Sequence, residues 1–143
     1  MAAARLPVEG LREELVTSLN RAPRVVLTAP TGSGKSTLVP QMLLAEGWCQ
    51  GQIVVLQPRR LAARLVAARV ASQMGTPLGG TVGYQTRYDR VVSPQTRIRF
   101  VTDGLFVRLC QADPELVDVG AVVVDEFHER SLATDVAVGW VRR

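Results

Sequence analysis

The sequence predicts an α/β protein, a three-layer α/β/α sandwich around a mostly parallel sheet. Three observations carry this prediction. The apolar runs Arg24 to Ala29 (RVVLTA), Gln52 to Gln57 (QIVVLQ) and Ala121 to Asp125 (AVVVD) are continuous rather than alternating, as in strands covered on both faces. Segments with helical spacing stand between them, and alternating strands and helices build right-handed parallel β-α-β units. The length of 143 residues suits one compact domain spanning residues 1–143, and 47% apolar beside 21% charged residues supplies a core and excludes a disordered tail.

Each element has its own reason. Val8 to Asn20 reads as a short amphipathic helix, with Leu11, Leu15 and Leu19 four residues apart. RVVLTA is apolar and β-branched and ends at Pro30, which predicts a buried strand. Gly34 to Glu46 carries Leu38, Met42 and Ala45 at helical spacing, and Gly47 stops it. QIVVLQ is a second buried strand, closed by Pro58. Arg60 to Met74 reads as a helix with Leu61, Leu65 and Met74 on or near its apolar face, and Gly75 follows it. Val82 to Thr86 and Arg97 to Thr102 are further short strands. Asp103 is placed to cap a helix running to about Cys110. AVVVD is another buried strand, and Leu132 to Val141 reads as a helix.

Composition excludes several classes. No apolar run approaches the ~18 residues of a membrane span. The first ten residues contain no long apolar stretch of the secretory type. Cys49 and Cys110 lie far apart without C-x-x-C spacing, which fits two reduced thiols in a cytoplasmic protein. Net charge is +4, and Lys35 is the only lysine among 17 basic residues. Between Gln57 and Ala112 stand nine arginines against two aspartates, a local charge of +7. That imbalance fits a polyanionic partner, and it fits equally a chain that scatters arginine over solvated faces.

The segment Ala29 to Thr37, APTGSGKST, follows a predicted strand and opens a predicted helix. It matches the phosphate-loop pattern G-x-x-x-x-G-K-[ST] except that Ala29 replaces the first glycine. Thr31, Gly32, Ser33, Gly34, Lys35, Ser36 and Thr37 form the expected nucleotide cradle. Gly32 and Gly34 allow successive N–H groups to point inward, and the helix N-terminus adds partial positive charge. Lys35 is placed to reach the β- and γ-phosphates, Ser36 to give a hydroxyl to Mg²⁺, and Thr37 to help at the α-phosphate.

Asp125 and Glu126 end the strand AVVVD, which delivers them to the edge of the sheet expected to hold the phosphate loop. Asp125 suits the metal, together with Ser36, and Glu126 suits the attacking water. His128, the only histidine, is either a structural hydrogen-bonding residue or a group that couples this site to its surroundings. Lys35, Asp125, Glu126 and His128 are therefore the candidate catalytic residues. In every such sheet, ligands bind beyond the carboxyl ends of the strands.

APTGSGKST followed by DEFHER (Asp125 to Arg130) resembles the DExH/DEAH-box helicases of superfamily 2. QPRRLAA (Gln57 to Ala63) resembles that family's motif Ia, GYQTR (Gly83 to Arg87) its GY-x-x-R segment, and TDG (Thr102 to Gly104) its motif Ib. The closer detail, including Phe127 where the D-E-A-H box has alanine, resembles the bacterial HrpB-type ATP-dependent RNA helicases. Ala29 at the first loop position is ordinary for superfamily 2. The resemblance runs from about Leu6 to the end of the chain.

This resemblance implies a RecA-like P-loop NTPase domain, the N-terminal half of a two-domain motor, with the second RecA-like domain absent from these 143 residues. It implies ATP or another NTP with Mg²⁺, weak base selectivity, and poor hydrolysis without the arginine fingers of the second domain. It implies single-stranded nucleic acid as partner, RNA rather than DNA, held through its backbone. Pro58, Arg59 and Arg60 would grip phosphates, Thr102, Asp103 and Gly104 would hold the backbone near a helix N-terminus, and Arg87 would line the same channel. Tyr84 fits either that channel or the core. The competing expectation is a nucleotide- or RNA-binding module without turnover. A small-molecule kinase is disfavoured, because it gains nothing from Asp-Glu-x-His.

Overall fold

The computed structural model describes residues 10–30, 33–47, 50–125 and 132–141. Its helices are α1 (Arg12–Arg21), α2 (Lys35–Ala45), α3 (Arg60–Gln73), α4 (Asp103–Ala112) and α5 (Leu132–Val141). Its strands are β1 (Gln52–Gln57), β2 (Val82–Gln85), β3 (Arg90–Val91), β4 (Ile98–Thr102) and β5 (Val119–Val124). The sheet order is β3-β2-β4-β1-β5. Every pairing is parallel except that of β3 with β2.

The strand period of two sorts β1, β4 and β5 between two cores. Ile53 and Val55 of β1 join a cluster with Leu15 of α1, Met42 and Leu43 of α2, and Ala63, Ala67 and Val70 of α3. Val54 and Leu56 join Phe106 and Cys110 of α4 and Ala137 of α5 on the opposite face. Helices therefore cover both faces, and the predicted three-layer sandwich is observed. Burying a side chain of the size of Ile53 or Phe106 contributes roughly 1.5–3 kcal/mol. Burial pushes the Cys110 thiol above its ordinary range, with Asp113 adding to the shift. No helix among the described residues is long and apolar enough to cross a membrane.

Several expectations need correction. RVVLTA forms no strand: residues 24–30 carry no ladder, and Val26 is 94% exposed. A strand exists through its neighbour's hydrogen bonds, and no ladder among the described residues includes this run. Arg24, Val25, Val26 and Leu27 instead line a cavity of about 1060 Å³ whose other wall is β5. For the same reason β5 is only half-buried, although its sequence reads as a fully covered strand. In α3 the inward face is Ala63, Ala67, Val70 and Ala71, while Leu61 and Leu65 are exposed. Small side chains let the helix lie close against β2 and β4, and its leucines face outward. Met74 does pack against the core. Asp103 is the first residue of α4 rather than its cap; Thr102 holds the cap position, with no side-chain capping bond.

One short strand was not expected. β3 folds back on β2, pairing Tyr84 with Val91 and Gln85 with Arg90. Gly83 permits this approach, since a Cβ there would stand 2.3 Å from the Val91 carbonyl oxygen and 2.9 Å from Val92 Cγ1. Gly83→Ala is therefore expected to destabilise the protein by roughly 1–3 kcal/mol, the scale of overpacking. A thermal melt indistinguishable from that of the parent chain would show that the hairpin tolerates the methyl.

Candidate functional site

The chain changes direction at the carboxyl ends of the parallel strands, and the candidate residues gather there. In the ladder, Gln57 of β1 pairs with Thr102 of β4, and Leu56 pairs with Val124 of β5. Asp125 follows directly, and its N–H donates to the Leu56 carbonyl at 3.2 Å. Thr102, Gln57 and Asp125 thus stand in a row along one sheet edge. The Gln57 amide donates from Nε2 to Asp125 Oδ2 at 2.5 Å. Both side chains are buried, 2% and 8% exposed.

The start of α2 lines the same cavity as Asp125. Gly34 adopts the left-handed conformation, φ +89°, and leads into α2 at Lys35. A residue with a Cβ is strained in that conformation, which explains the glycine before the lysine. The first-turn N–H groups of any helix lack intrahelical partners, so the start of α2 offers donors to an anion. Lys35 folds back across the loop, its Nζ donating to the Ala29 carbonyl at 3.2 Å. Ser33 is buried, and its Oγ has no hydrogen-bond partner among the described residues. Thr37 is buried, and its Oγ1 donates to the Gly34 carbonyl at 3.2 Å, which directs it at the loop backbone. Lys35 and Asp125 line the same cavity. Thr31, Gly32, Glu126 and His128 lie outside the described residues.

The donor set suits Mg²⁺. One buried carboxylate, Asp125, and one partly accessible hydroxyl, Ser36, are hard oxygen ligands. Among the described residues no group of three or more His, Cys, Asp or Glu side chains could hold a metal. Magnesium is characteristically held by one or two carboxylates plus substrate phosphates, not by an all-protein cage.

The basic segments meet beside this edge. Arg59 and Arg60 are exposed at the start of α3, and Pro58 before them is half-buried. Arg87 is exposed in the turn between β2 and β3. The guanidinium carbons of Arg60 and Arg87 each lie 5.3 Å from the centre of the Tyr88 ring, within cation–π range. That ring is 72% exposed. The turn is pinned by the Tyr84 hydroxyl, which donates to Asp89 Oδ2 at 2.5 Å, and by Thr86 N–H, which donates to the Asp89 carbonyl. The bond to Asp89, followed by burial, raises the Tyr84 phenol above its ordinary range. Tyr84 is buried in the core cluster. At the third segment, Thr102 is half-buried, Gly104 is exposed, and the Asp103 side chain is buried. Asp103 is thus turned into the fold instead of presenting its carboxylate at the surface.

Sequence reasoning passed over two residues here. Gln57 is a polar residue ending an apolar strand directly before the Pro-Arg-Arg turn, and a polar group at a buried strand end needs a partner. Tyr88 stands between Arg87 and Asp89, and only the turn shows that Arg60 shares its ring.

A parallel α/β/α sandwich with a glycine-led helix start facing a strand-end aspartate is the RecA-like fold of P-loop proteins. A family model described as DEAD/DEAH box helicase matches residues 11–135, and the chain belongs to that family. It is 52% identical over 133 residues to the ATP-dependent RNA helicase HrpB of Escherichia coli (strain K12), covering 93% of this chain and 16% of that protein. It is 44% identical over 142 residues to the probable ATP-dependent RNA helicase DHX35 of Homo sapiens, covering 97% of this chain and 20% of that protein. A crystal structure of the E. coli DExH-box NTPase HrpB matches with a TM-score of 0.96 at 50% identity, over 99% of this chain and 18% of that chain. The chain spans a fifth or less of the length of these relatives.

Proposed function

We propose that the chain is the nucleotide-binding, N-terminal RecA-like part of an ATP-dependent RNA helicase. The observation that carries this reading is that Lys35 and Asp125, the residue at the carboxyl end of β5, line one cavity that runs along that strand. The substrate is a nucleoside triphosphate, and its phosphates are bound by residues 31–37. Lys35 exchanges its bond to the Ala29 carbonyl for the β- and γ-phosphates, a charge-assisted contact of greater strength. Ser36 and Asp125 hold Mg²⁺, which when bound neutralises charge on the phosphates. Glu126 orients and polarises the water that attacks the γ-phosphate. His128 communicates with a second RecA-like domain, which also brings the arginine fingers worth ~10³–10⁵ in rate. Alone, the chain binds nucleotide and hydrolyses it poorly.

Single-stranded nucleic acid runs over Pro58, Arg59, Arg60, Arg87, Thr102 and Gly104, with Asp103 supporting the last segment from inside. The names of the relatives support RNA over DNA. Such contacts go to the backbone, so binding tolerates any sequence and weakens with salt. Replacing both Arg59 and Arg60 by alanine is expected to lower the slope of log affinity against log salt by ~1.4, two single-strand phosphate contacts at ~0.7 each. An unchanged slope removes both residues from the path.

The deciding assay mixes the chain with Mg·ATP and single-stranded RNA, with and without a separately made second domain. Turnover that appears on adding that domain is the expected result. Binding without turnover in every mixture would establish the second reading, a nucleotide- and RNA-binding module.

A further inference from the structure

We infer that Gln57 is a positioning residue that couples the nucleic-acid surface to the metal-side carboxylate. The inference rests on the proposed function, in which residues 58–60 meet nucleic acid and Asp125 faces the metal. Gln57 is the last residue of β1, and its side-chain amide donates to Asp125 Oδ2. A carboxylate only accepts, so the NH₂ end of the amide must face it. The next residue is Pro58, whose ring fixes φ, and α3 begins two residues later at Arg60. Displacement of the Pro58-Arg59-Arg60 turn is therefore passed into the Gln57 backbone rather than absorbed by a flexible loop. On its other side Gln57 is in register with Thr102, the start of the second nucleic-acid segment. One side chain thus touches the aspartate while its backbone is continuous with one nucleic-acid segment and abuts another.

The chemistry of the position supports a directional role. Residues 53–56 of the strand are apolar and fully buried, and an aliphatic side chain at 57 would extend that core. An amide there forfeits apolar burial and needs a partner. Its bond to a carboxylate aims one oxygen of Asp125 at the amide, which orients the other. Movement at residues 58–60 then changes how Asp125 presents itself to the metal, and by linkage occupancy of the nucleotide changes affinity for nucleic acid by the same factor.

The test measures binding, not turnover. The affinity of the protein for a fluorescent, non-hydrolysable Mg·ATP analogue is titrated with and without single-stranded oligouridylate, and the reciprocal titration is made with the oligonucleotide. In the parent protein each ligand is expected to change the other's affinity at least about fivefold, the lower range of allosteric coupling. Gln57→Met keeps the volume and removes the donor. It is expected to bring the coupling to within about twofold of none, with oligonucleotide affinity in the absence of nucleotide unchanged within the same margin. Gln57→Leu, also without the donor, is expected to do the same, and is read alone if the methionine variant does not fold. Retained coupling in a folded variant overturns the inference, as does a parent protein that binds both ligands independently. A variant that loses both affinities in parallel with its melting temperature marks a purely structural role, which also overturns it. A parent protein that binds neither ligand refutes the proposed function itself, and the coupling falls with it.

Discussion

Lys35→Ala is expected to reduce Mg·ATP affinity by at least about 10²-fold, because two charge-assisted contacts of roughly 1.5–3 kcal/mol each are lost at the phosphates. The loss is specific to nucleotide. Lys35 belongs to no core cluster, and its one side-chain bond among the described residues, to the Ala29 carbonyl, spans six residues. The fold should therefore survive, and the melting temperature without nucleotide should stay near that of the parent. Lys35→Arg should not rescue binding, since a planar fork does not reproduce a compact point charge in a narrow backbone nest. Equilibrium titration with a fluorescent nucleotide, beside a thermal melt, measures both quantities. Unaltered affinity in the alanine variant would remove residues 31–37 from the phosphate site.

The second large effect is on chemistry. Glu126→Gln preserves shape and hydrogen bonding but cannot take charge or polarise water as a carboxylate does. Turnover of the reconstituted two-domain protein should fall about 10²–10⁴-fold, the usual worth of a general base. Nucleotide affinity should change by less than about 1 kcal/mol, or fivefold, because in the proposed function Glu126 acts on the water and not on the ground-state phosphates. Stopped-flow binding and single-turnover hydrolysis separate the two. If affinity falls together with rate, Glu126 holds the metal or the nucleotide, and the assignment of Asp125 as the metal-side carboxylate must be revised. The division of labour predicts a contrast: Asp125→Asn should weaken the dependence of binding on Mg²⁺, whereas Glu126→Gln should leave it intact.

Much of this site was legible because its signals are local. A glycine before the only lysine, at the head of a helical repeat, marks the start of α2, and Gly34 does take the left-handed conformation there. β1 appears with the bounds that its apolar run suggested, Gln52–Gln57, and α3 starts where Pro58 and the two arginines place it. The spacing of AVVVD delivered Asp125 to the expected edge. The helix faces were less legible. In α3 the leucines looked like the core stripe, yet Ala63, Ala67 and Ala71 face the sheet. Hydrophobicity ranks residues by transfer from water, whereas a helix that packs closely on a sheet is selected by size. The short β3 was missed because two residues carry no periodicity. Its existence depends on Gly83 accepting a backbone at contact distance.

The sequence alone determined the residue types on offer: an α/β alternation, a segment of phosphate-loop pattern, an Asp-Glu pair after an apolar run and an arginine-rich middle. Each is a matter of residue type and near-neighbour spacing. Tertiary structure decided which of these groups share a place. Lys35 and Asp125 are ninety residues apart and line one cavity; Gln57 meets Asp125 across 68 residues; Arg60 and Arg87 share the Tyr88 ring. It also left RVVLTA without a ladder, because a strand's hydrogen bonds are completed by another segment and cannot be read from its own side chains. Side-chain pattern is a property of one stretch of chain, but pairing is a property of two, and only the fold says which two.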